Sequence, residues 1–255
     1  MNLDGAVAIV TGSSSGVGAA TARLLARRGA NVVINYSRSE GPANEIAEEC
    51  RKLGADVIVC RANVAEDDDC RAMVAAAMDK WGRIDALVNN AGTTKFVNHA
   101  NLAGLEKQDF FDLYGVNVVG PYQMTRAAEA ALRASGDGAV VNVSSIAGVK
   151  GVGSSIAYAA SKGALITMTQ SLARVMGPEV RVNCICPGFI AGEWLKQGLG
   201  EEVYEKARAA SAAKSPLGRT CTPESVAESI VGFIDGHSII TGEAIILDGG
   251  QYLGY

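Results

Sequence analysis

The run Ala6-Val7-Ala8-Ile9-Val10-Thr11-Gly12-Ser13-Ser14-Ser15-Gly16-Val17-Gly18 decides the fold. Ala6–Val10 is a short unbroken apolar stretch and reads as a buried strand. A turn of small residues follows. From Val17 to Arg28 the apolar residues recur at spacings of three and four, a helical period. Strand, glycine-rich turn and helix in that order open a βαβ unit. In that context small residues let the backbone approach a pyrophosphate, and the helix N-terminus offers it unpaired N–H groups. Gly12, Ser14, Ser15, Gly16, Val17 and Gly18 are therefore candidate dinucleotide contacts. The spacing is Gly-x-x-x-Gly-x-Gly rather than Gly-x-Gly-x-x-Gly, and no Gly-Lys-Ser/Thr follows, so the turn is not a P-loop.

The same alternation runs to the end of the chain. Strand candidates are Ala6–Val10, Asn31–Asn35, Asp56–Arg61, Ala86–Asn89, Ala139–Val143, Val180–Cys186 and Ala244–Leu247. Helix candidates lie between them at Val17–Arg28, Pro42–Leu53, Asp67–Trp81, Lys107–Ser135, Ala157–Met176 and Pro223–Asp235. Most strands are near-continuous Val/Ile/Ala, as expected where both faces of a parallel sheet are covered. The prediction is an α/β fold, a doubly wound parallel sheet with helices on both faces. With no linker and no internal repeat, residues 1–255 form one domain. Ala191–Lys214 breaks the alternation and reads as a partly helical excursion over the site.

Composition narrows the function classes. The 255 residues carry a net charge of −4, and no Lys/Arg run exceeds Arg27-Arg28, which argues against nucleic acid as a partner. The six cysteines show no zinc-ligand spacing and the two histidines, His99 and His237, stand apart, so no metal site is expected. Buried free thiols fit a reducing compartment. The N-terminus lacks a basic n-region and the longest apolar runs are far short of a membrane span. A soluble cytoplasmic protein is expected.

The second strand ends at Asn35-Tyr36-Ser37-Arg38. An NAD site would usually place an acid here for the ribose 2′-hydroxyl. None comes before Glu40. Arg38 supplies a cation instead, with Ser37 and Tyr36 as hydroxyl donors, which suits a 2′-phosphate. NADP(H) is the expected cofactor, with NAD(H) possible.

Tyr158 and Lys162 are four apart, so on a helix they share one face. A phenol has an ordinary pKa near ~10, and a neighbouring ammonium favours the phenolate. The pair reads as a general acid/base for a carbonyl or an alcohol. The serine pair Ser144-Ser145 lies a short loop upstream.

With these motifs in order, the chain resembles the short-chain dehydrogenase/reductase family over essentially its full length. The resemblance rests on Thr11–Gly18, Asn89-Asn90-Ala91-Gly92, Asn117, Asn142-Val143-Ser144-Ser145 and Tyr158-x-x-x-Lys162, then Arg181-Val182-Asn183, Pro187-Gly188 and Asp248-Gly249-Gly250. In style it is most similar to 3-oxoacyl-carrier-protein reductase-like members. The resemblance implies a Rossmann-like domain. It implies that Tyr158 is the acid/base, that Lys162 lowers its pKa and holds the nicotinamide ribose, and that Ser145 binds the substrate oxygen. Asn117 would hold a water beside the lysine. Ser144, Ser154 and Ser155 would be structural. Asn90, Ala91 and Gly92 would pass behind the cofactor, Asn63 and Val64 would meet adenine, and Pro187, Gly188 and Ile190 would meet the nicotinamide carboxamide.

Two positions depart from the family pattern: Asn63 stands where Asp is frequent, and Gly192 where a threonine is common. Gly192 is expected to make its loop a mobile hinge. The implied function is reversible hydride transfer between NADP(H) and a ketone/secondary-alcohol pair. Alternatives are an NAD-preferring alcohol or sugar dehydrogenase, a dehydratase or epimerase relative, and a silent cofactor-binding scaffold. The resemblance also implies a homotetramer, a dimer of dimers, with a dimer as runner-up. The substrate is a small carbonyl or alcohol. Its pocket is expected from Thr93–Asn98, Gly148–Ser155 and a lid at about 189–214, where Trp194, Leu195, Leu199 and Tyr204 set an apolar tone beside Lys196, Lys206 and Arg208. Phe96 and Trp194 stand out in a chain of few aromatics.

Overall fold

Seven strands form one parallel sheet in the order β3-β2-β1-β4-β5-β6-β7. They are β1 (Val7–Val10), β2 (Asn31–Tyr36), β3 (Val57–Arg61), β4 (Ala86–Asn89), β5 (Gly138–Val143), β6 (Val180–Pro187) and β7 (Ala244–Leu247). The structure is a computed structural model and describes residues 1–254. Successive side chains of a strand point to opposite faces. Ala8 and Val10 of β1 accordingly pack into one core layer, and Val7 and Ile9 into the other. The first layer lies under α1 (Gly16–Arg27), α2 (Glu40–Lys52) and the C-terminal helix Pro223–Asp235. The second lies under α3 (Asp67–Trp81) and the helices Gly120–Ala134 and Ile156–Met176. The doubly wound parallel sheet is thus as expected.

The strand order reverses between β1 and β4, and ligands of open α/β sheets bind outside the carboxyl ends of the strands at such a point. Because all strands are parallel, one sheet edge collects Thr11 after β1, Tyr36 and Arg61 at the ends of β2 and β3, Asn89 on β4 and Ser144-Ser145 after β5. All of these but Arg61 are motif or candidate residues of the sequence.

The expected continuous helix Lys107–Ser135 is not continuous. It comprises α4 (Lys107–Tyr114), a π-helical turn at Gly115–Val119, and α5 (Gly120–Ala134). The cause is Pro121, near the start of α5. Proline has no N–H to give the carbonyl four residues back, which is that of Asn117. The ladder widens there, and the Gly120 N–H bonds the Gly115 carbonyl five residues back.

The remaining helices are α6 (Ile146–Lys150), α7 (Ile156–Met176), α8 (Glu193–Leu199), α9 (Glu201–Lys214) and α10 (Pro223–Asp235). The excursion after β6 is therefore almost wholly helical. Gly192 caps α8 in extended backbone, and a Cβ there would meet nothing within 4 Å. Its conformation does not demand glycine. Among the described residues no helix is long and apolar enough to cross a membrane.

Candidate active site

The end of β5 separates the two serines. Ser144 turns inward, and its hydroxyl donates to the Lys162 carbonyl at 2.7 Å. Ser145 turns the other way as the N-cap of α6, accepting the Ala147 N–H at 3.1 Å. Its hydroxyl also lies within hydrogen-bonding reach of the Tyr158 phenol. Ser155 caps α7 by accepting the Tyr158 N–H at 3.2 Å. These contacts set the first turn of α7, and with it the phenol, relative to Ser145.

Helices α6 and α7 meet backbone to backbone. A Cβ at Gly148 would lie 2.5 Å from both the Lys162 carbonyl carbon and the Gly163 nitrogen. The helix capped by Ser145 therefore touches the helix that carries Tyr158 and Lys162 directly. Gly148 was expected only as pocket lining, and nothing in its sequence context announces this crossing.

Lys162 is buried, and its Nζ donates to the Val143 carbonyl at 2.9 Å. It stands 5.7 Å from the centroid of the Tyr158 ring. Burial pushes the ammonium down to about 8, with the Cys184 and Cys186 thiols of β6 opposing. Burial likewise pushes the phenol up to about 12, and the Ser145 hydroxyl pulls it back. The expected depression of the tyrosine by Lys162 is thus not produced by the chain's own groups. The ammonium is committed to Val143, and desolvation of the phenol dominates.

This predicts a pH signature in the cofactor-free protein. The folded lysine titrates at about 8 and the unfolded one near 10.5, so between those values only the unfolded chain keeps the proton. A penalty on folding is fully present below pH 8 and is relieved as pH rises toward 10.5. The stability of the wild type relative to Lys162→Met should therefore rise by about 3 kcal/mol across that window. Denaturant melts of both proteins from pH 7 upward measure the difference. A flat difference would show that the folded lysine titrates normally.

Asn117, fully buried on the π turn, is held from three sides. Its Oδ1 accepts the Thr93 N–H at 2.9 Å, and its Nδ2 donates to the Thr93 carbonyl at 2.9 Å and to Ser161 Oγ at 3.0 Å. Ser161 in turn donates to the Tyr158 carbonyl at 2.8 Å. A Cβ on Gly92 would fall 3.4 Å from Asn117 Oδ1 and 3.5 Å from Lys162 Nζ, so Gly92 lies against both. Beneath them Thr169, Asn142, Asn89 and Thr125 form a buried hydrogen-bonded row across β5 and β4. The row fixes the two strand ends that carry the site.

The glycine turn is braced from behind. Asn90 Nδ2 donates to the carbonyls of Thr11 and Gly12 at 2.9 and 3.1 Å, and the Ala91 N–H reaches Thr11 Oγ1 at 3.0 Å. A Cβ at Gly18 would come within 2.4 Å of the Gly12 carbonyl, so only glycine permits this packing. Gly16 lies on the outer side with nothing within 4 Å of its Cβ position, and Ser15 makes no side-chain cap. The first turn of α1 therefore offers its N–H groups outward beside an open approach. This geometry fits the pyrophosphate of a dinucleotide.

The rest of the expected cofactor set is spread along the same edge. Ser37 and Arg38 are exposed beyond β2. Tyr36 is buried, and burial together with the Glu40 carboxylate pushes its phenol up. Sequence reasoning missed Arg61, paired with Tyr36 across β2 and β3 and also exposed. Asn63 caps its own turn by accepting the Ala65 N–H at 3.2 Å, and Val64 is buried. Gly188 donates its N–H to the Leu247 carbonyl at 2.7 Å, which fixes Pro187-Gly188 beside β7, while Ile190 pairs with Cys221.

The reversed sheet, the open glycine turn and the Ser-Tyr-Lys grouping define a dinucleotide-dependent oxidoreductase. The comparisons agree. A family model described as enoyl-(acyl carrier protein) reductase matches residues 12–251. The chain is 41% identical over 252 residues to the "Granaticin polyketide synthase putative ketoacyl reductase 2" of Streptomyces violaceoruber, covering 97% of this chain and 96% of that protein. It is 36% identical over 252 residues to the 3-oxoacyl-(acyl-carrier-protein) reductase FabG of Thermotoga maritima, covering 98% and 99%. The crystal structure of a "putative short-chain dehydrogenase/reductase" from Burkholderia xenovorans superposes with a TM-score of 0.91 at 39% identity, covering 98% and 99%. The chain belongs to the short-chain dehydrogenase/reductase family and is an oxidoreductase of the type acting on CH–OH and keto groups.

Proposed function

We propose that this protein interconverts a ketone and its secondary alcohol with NADP(H) as preferred cofactor. The observation that carries this reading is the joining of Ser145, Tyr158 and Lys162 by two helices in backbone contact, next to an open glycine turn. The dinucleotide supplies the hydride when bound. Ser145 orients the carbonyl oxygen with its hydroxyl, and Tyr158 gives that oxygen a proton as negative charge develops there. Lys162 holds positive charge beneath the phenol, and Asn117 with Ser161 fixes the helix turn on which the phenol stands. Gly12, Gly16 and Gly18 would cradle the pyrophosphate. Arg38, aided by Ser37, would meet the 2′-phosphate.

Glu40 favours a second reading. Its carboxylate beside the Tyr36 hydroxyl is the kind of group that holds a ribose 2′-hydroxyl, which suits NAD(H). Consumption of NADPH and NADH with a ketone panel decides between them. The expected result is about a tenfold or greater advantage in kcat/KM for NADPH, reversed by Arg38→Asp chiefly through KM. Equal effects of Arg38→Asp on both cofactors would refute the NADP(H) assignment, and binding without any cofactor consumption would favour a silent scaffold.

We also propose a homotetramer. Phe111, Tyr122 and Val175 stand exposed on α4, α5 and α7, which supports pairing of these helices between copies.

A further inference from the structure

Phe96 lies on the loop that leaves β4, and Trp194 and Gly198 lie four apart on α8, on one face of that helix. The Phe96 ring fills the notch between them. Its centroid is 6.0 Å from that of Trp194, with the rings tilted by 51°, an arrangement aromatic pairs favour. A Cβ at Gly198 would come within 2.1 Å of Phe96 Cε2, so the ring rests on bare helix backbone. Trp194 keeps 52% of its surface exposed despite this contact.

Each side of the contact is anchored, and the Phe96 side is anchored near the phenol. The Thr94 and Ser154 hydroxyls are 2.5 Å apart, and the Val97 N–H donates to the Ser154 carbonyl at 2.8 Å. Ser154 adjoins the cap of α7, and a Cβ on the neighbouring Gly153 would lie 3.7 Å from Tyr158 Cδ1. Phe96 thus projects from a loop braced beside Tyr158. Opposite it, Tyr204 of α9 holds the start of α8 by accepting the Gly192 N–H at 3.2 Å, and its ring meets Phe189 at 5.5 Å. Three cations of this segment face its own acids: Lys196 meets Glu201, Lys206 meets Glu202, and Arg208 meets Glu205. The segment's aromatic contacts are Trp194 with Phe96 and Tyr204 with Phe189.

We propose that Phe96 and Trp194 form the specificity wall of the site, taking an uncharged apolar group, alkyl or aryl, beside the substrate carbonyl. Gly198 is the notch that lets the wall close. The proposal rests on the ketone-reductase reading given above.

Kinetics with three ketones test it: a short dialkyl ketone, an aryl alkyl ketone and an anionic 3-oxo carboxylate. The wild type should favour the aryl ketone over the anion by about tenfold or more in kcat/KM. Phe96→Ala should lose about tenfold on the aryl ketone, mainly in KM, and about twofold on the short one. Gly198→Ala should lose as much, because the added methyl collides with the Phe96 ring. In the double variant the collision is gone, so its loss should be smaller than the product of the two single losses. Melting temperature and dinucleotide affinity, read by nicotinamide fluorescence, should stay near wild type in Phe96→Ala.

Equal losses on all three ketones, simple multiplication in the double variant, or a wild-type preference for the anion would each overturn the wall while leaving the reductase reading intact. A wild type that binds the dinucleotide and reduces no ketone would overturn both.

Discussion

Tyr158→Phe is expected to cut turnover by about 10²–10⁴-fold while dinucleotide affinity stays near wild type. The substitution removes one oxygen from a ring whose position is fixed by other groups. Ser155 holds its N–H, Ser161 its carbonyl, and Gly153 packs near the ring edge. The fold and the glycine turn, built on β1 and α1, lie outside that set. The loss should therefore be a loss of proton transfer and appear in kcat. Because burial holds the free enzyme's phenol up at about 12, the proton is present throughout the neutral range, which suits the reducing direction. The oxidising direction needs the phenolate, and its rate should climb with pH. Steady-state rates in both directions, with binding measured separately, check this. A variant with wild-type turnover would remove Tyr158 from the chemistry.

The parts of this site legible in the sequence are those set by local pattern. Near-continuous apolar strands alternating with helix-period stretches gave the sheet. The strand–turn–helix context of Gly12–Gly18 located the open glycine turn, and the four-residue spacing placed Lys162 on the Tyr158 face. What stayed hidden depends on contacts between distant segments. The electrostatics of the Tyr158–Lys162 pair are set by burial and by the Val143 carbonyl, which the spacing cannot report. The break at Asn117 was written in Pro121, four residues on, yet apolar periodicity hides a missing hydrogen bond. Arg61 joins the strand-end edge that carries Tyr36 and Arg38 only through the β2–β3 register. The Phe96 ring and Gly198 are about a hundred residues apart, and neither has a pattern pointing to the other.

Gly148→Ala carries the same lesson into the catalytic geometry. The added Cβ would sit 2.5 Å from the backbone of α7 at both Lys162 and Gly163, where ordinary contact begins at 3.4 Å. Backbone cannot rotate away as a side-chain tip can, so α6 must shift from α7 by about 1 Å. Overpacking of this kind costs roughly 1–3 kcal/mol, a fall of about 3–10 °C in melting temperature for a chain of this size. The larger effect should be catalytic. The shift moves Ser145, the cap of α6, away from Tyr158 on α7, and a 1 Å misplacement can cost about 10²-fold in rate. That loss should fall on kcat for the ketone and spare dinucleotide affinity, because the glycine turn belongs to other elements. Gly163→Ala provides the contrast across the same crossing. Its Cβ would meet the Gly148 carbonyl at 3.3 Å, tight but close to ordinary contact, so its effect on kcat should be several-fold at most. Thermal melts and single-turnover rates of the two variants measure the difference. Equal effects, or a Gly148→Ala protein with unchanged kcat, would mean that this crossing does not set the distance between the serine and the phenol.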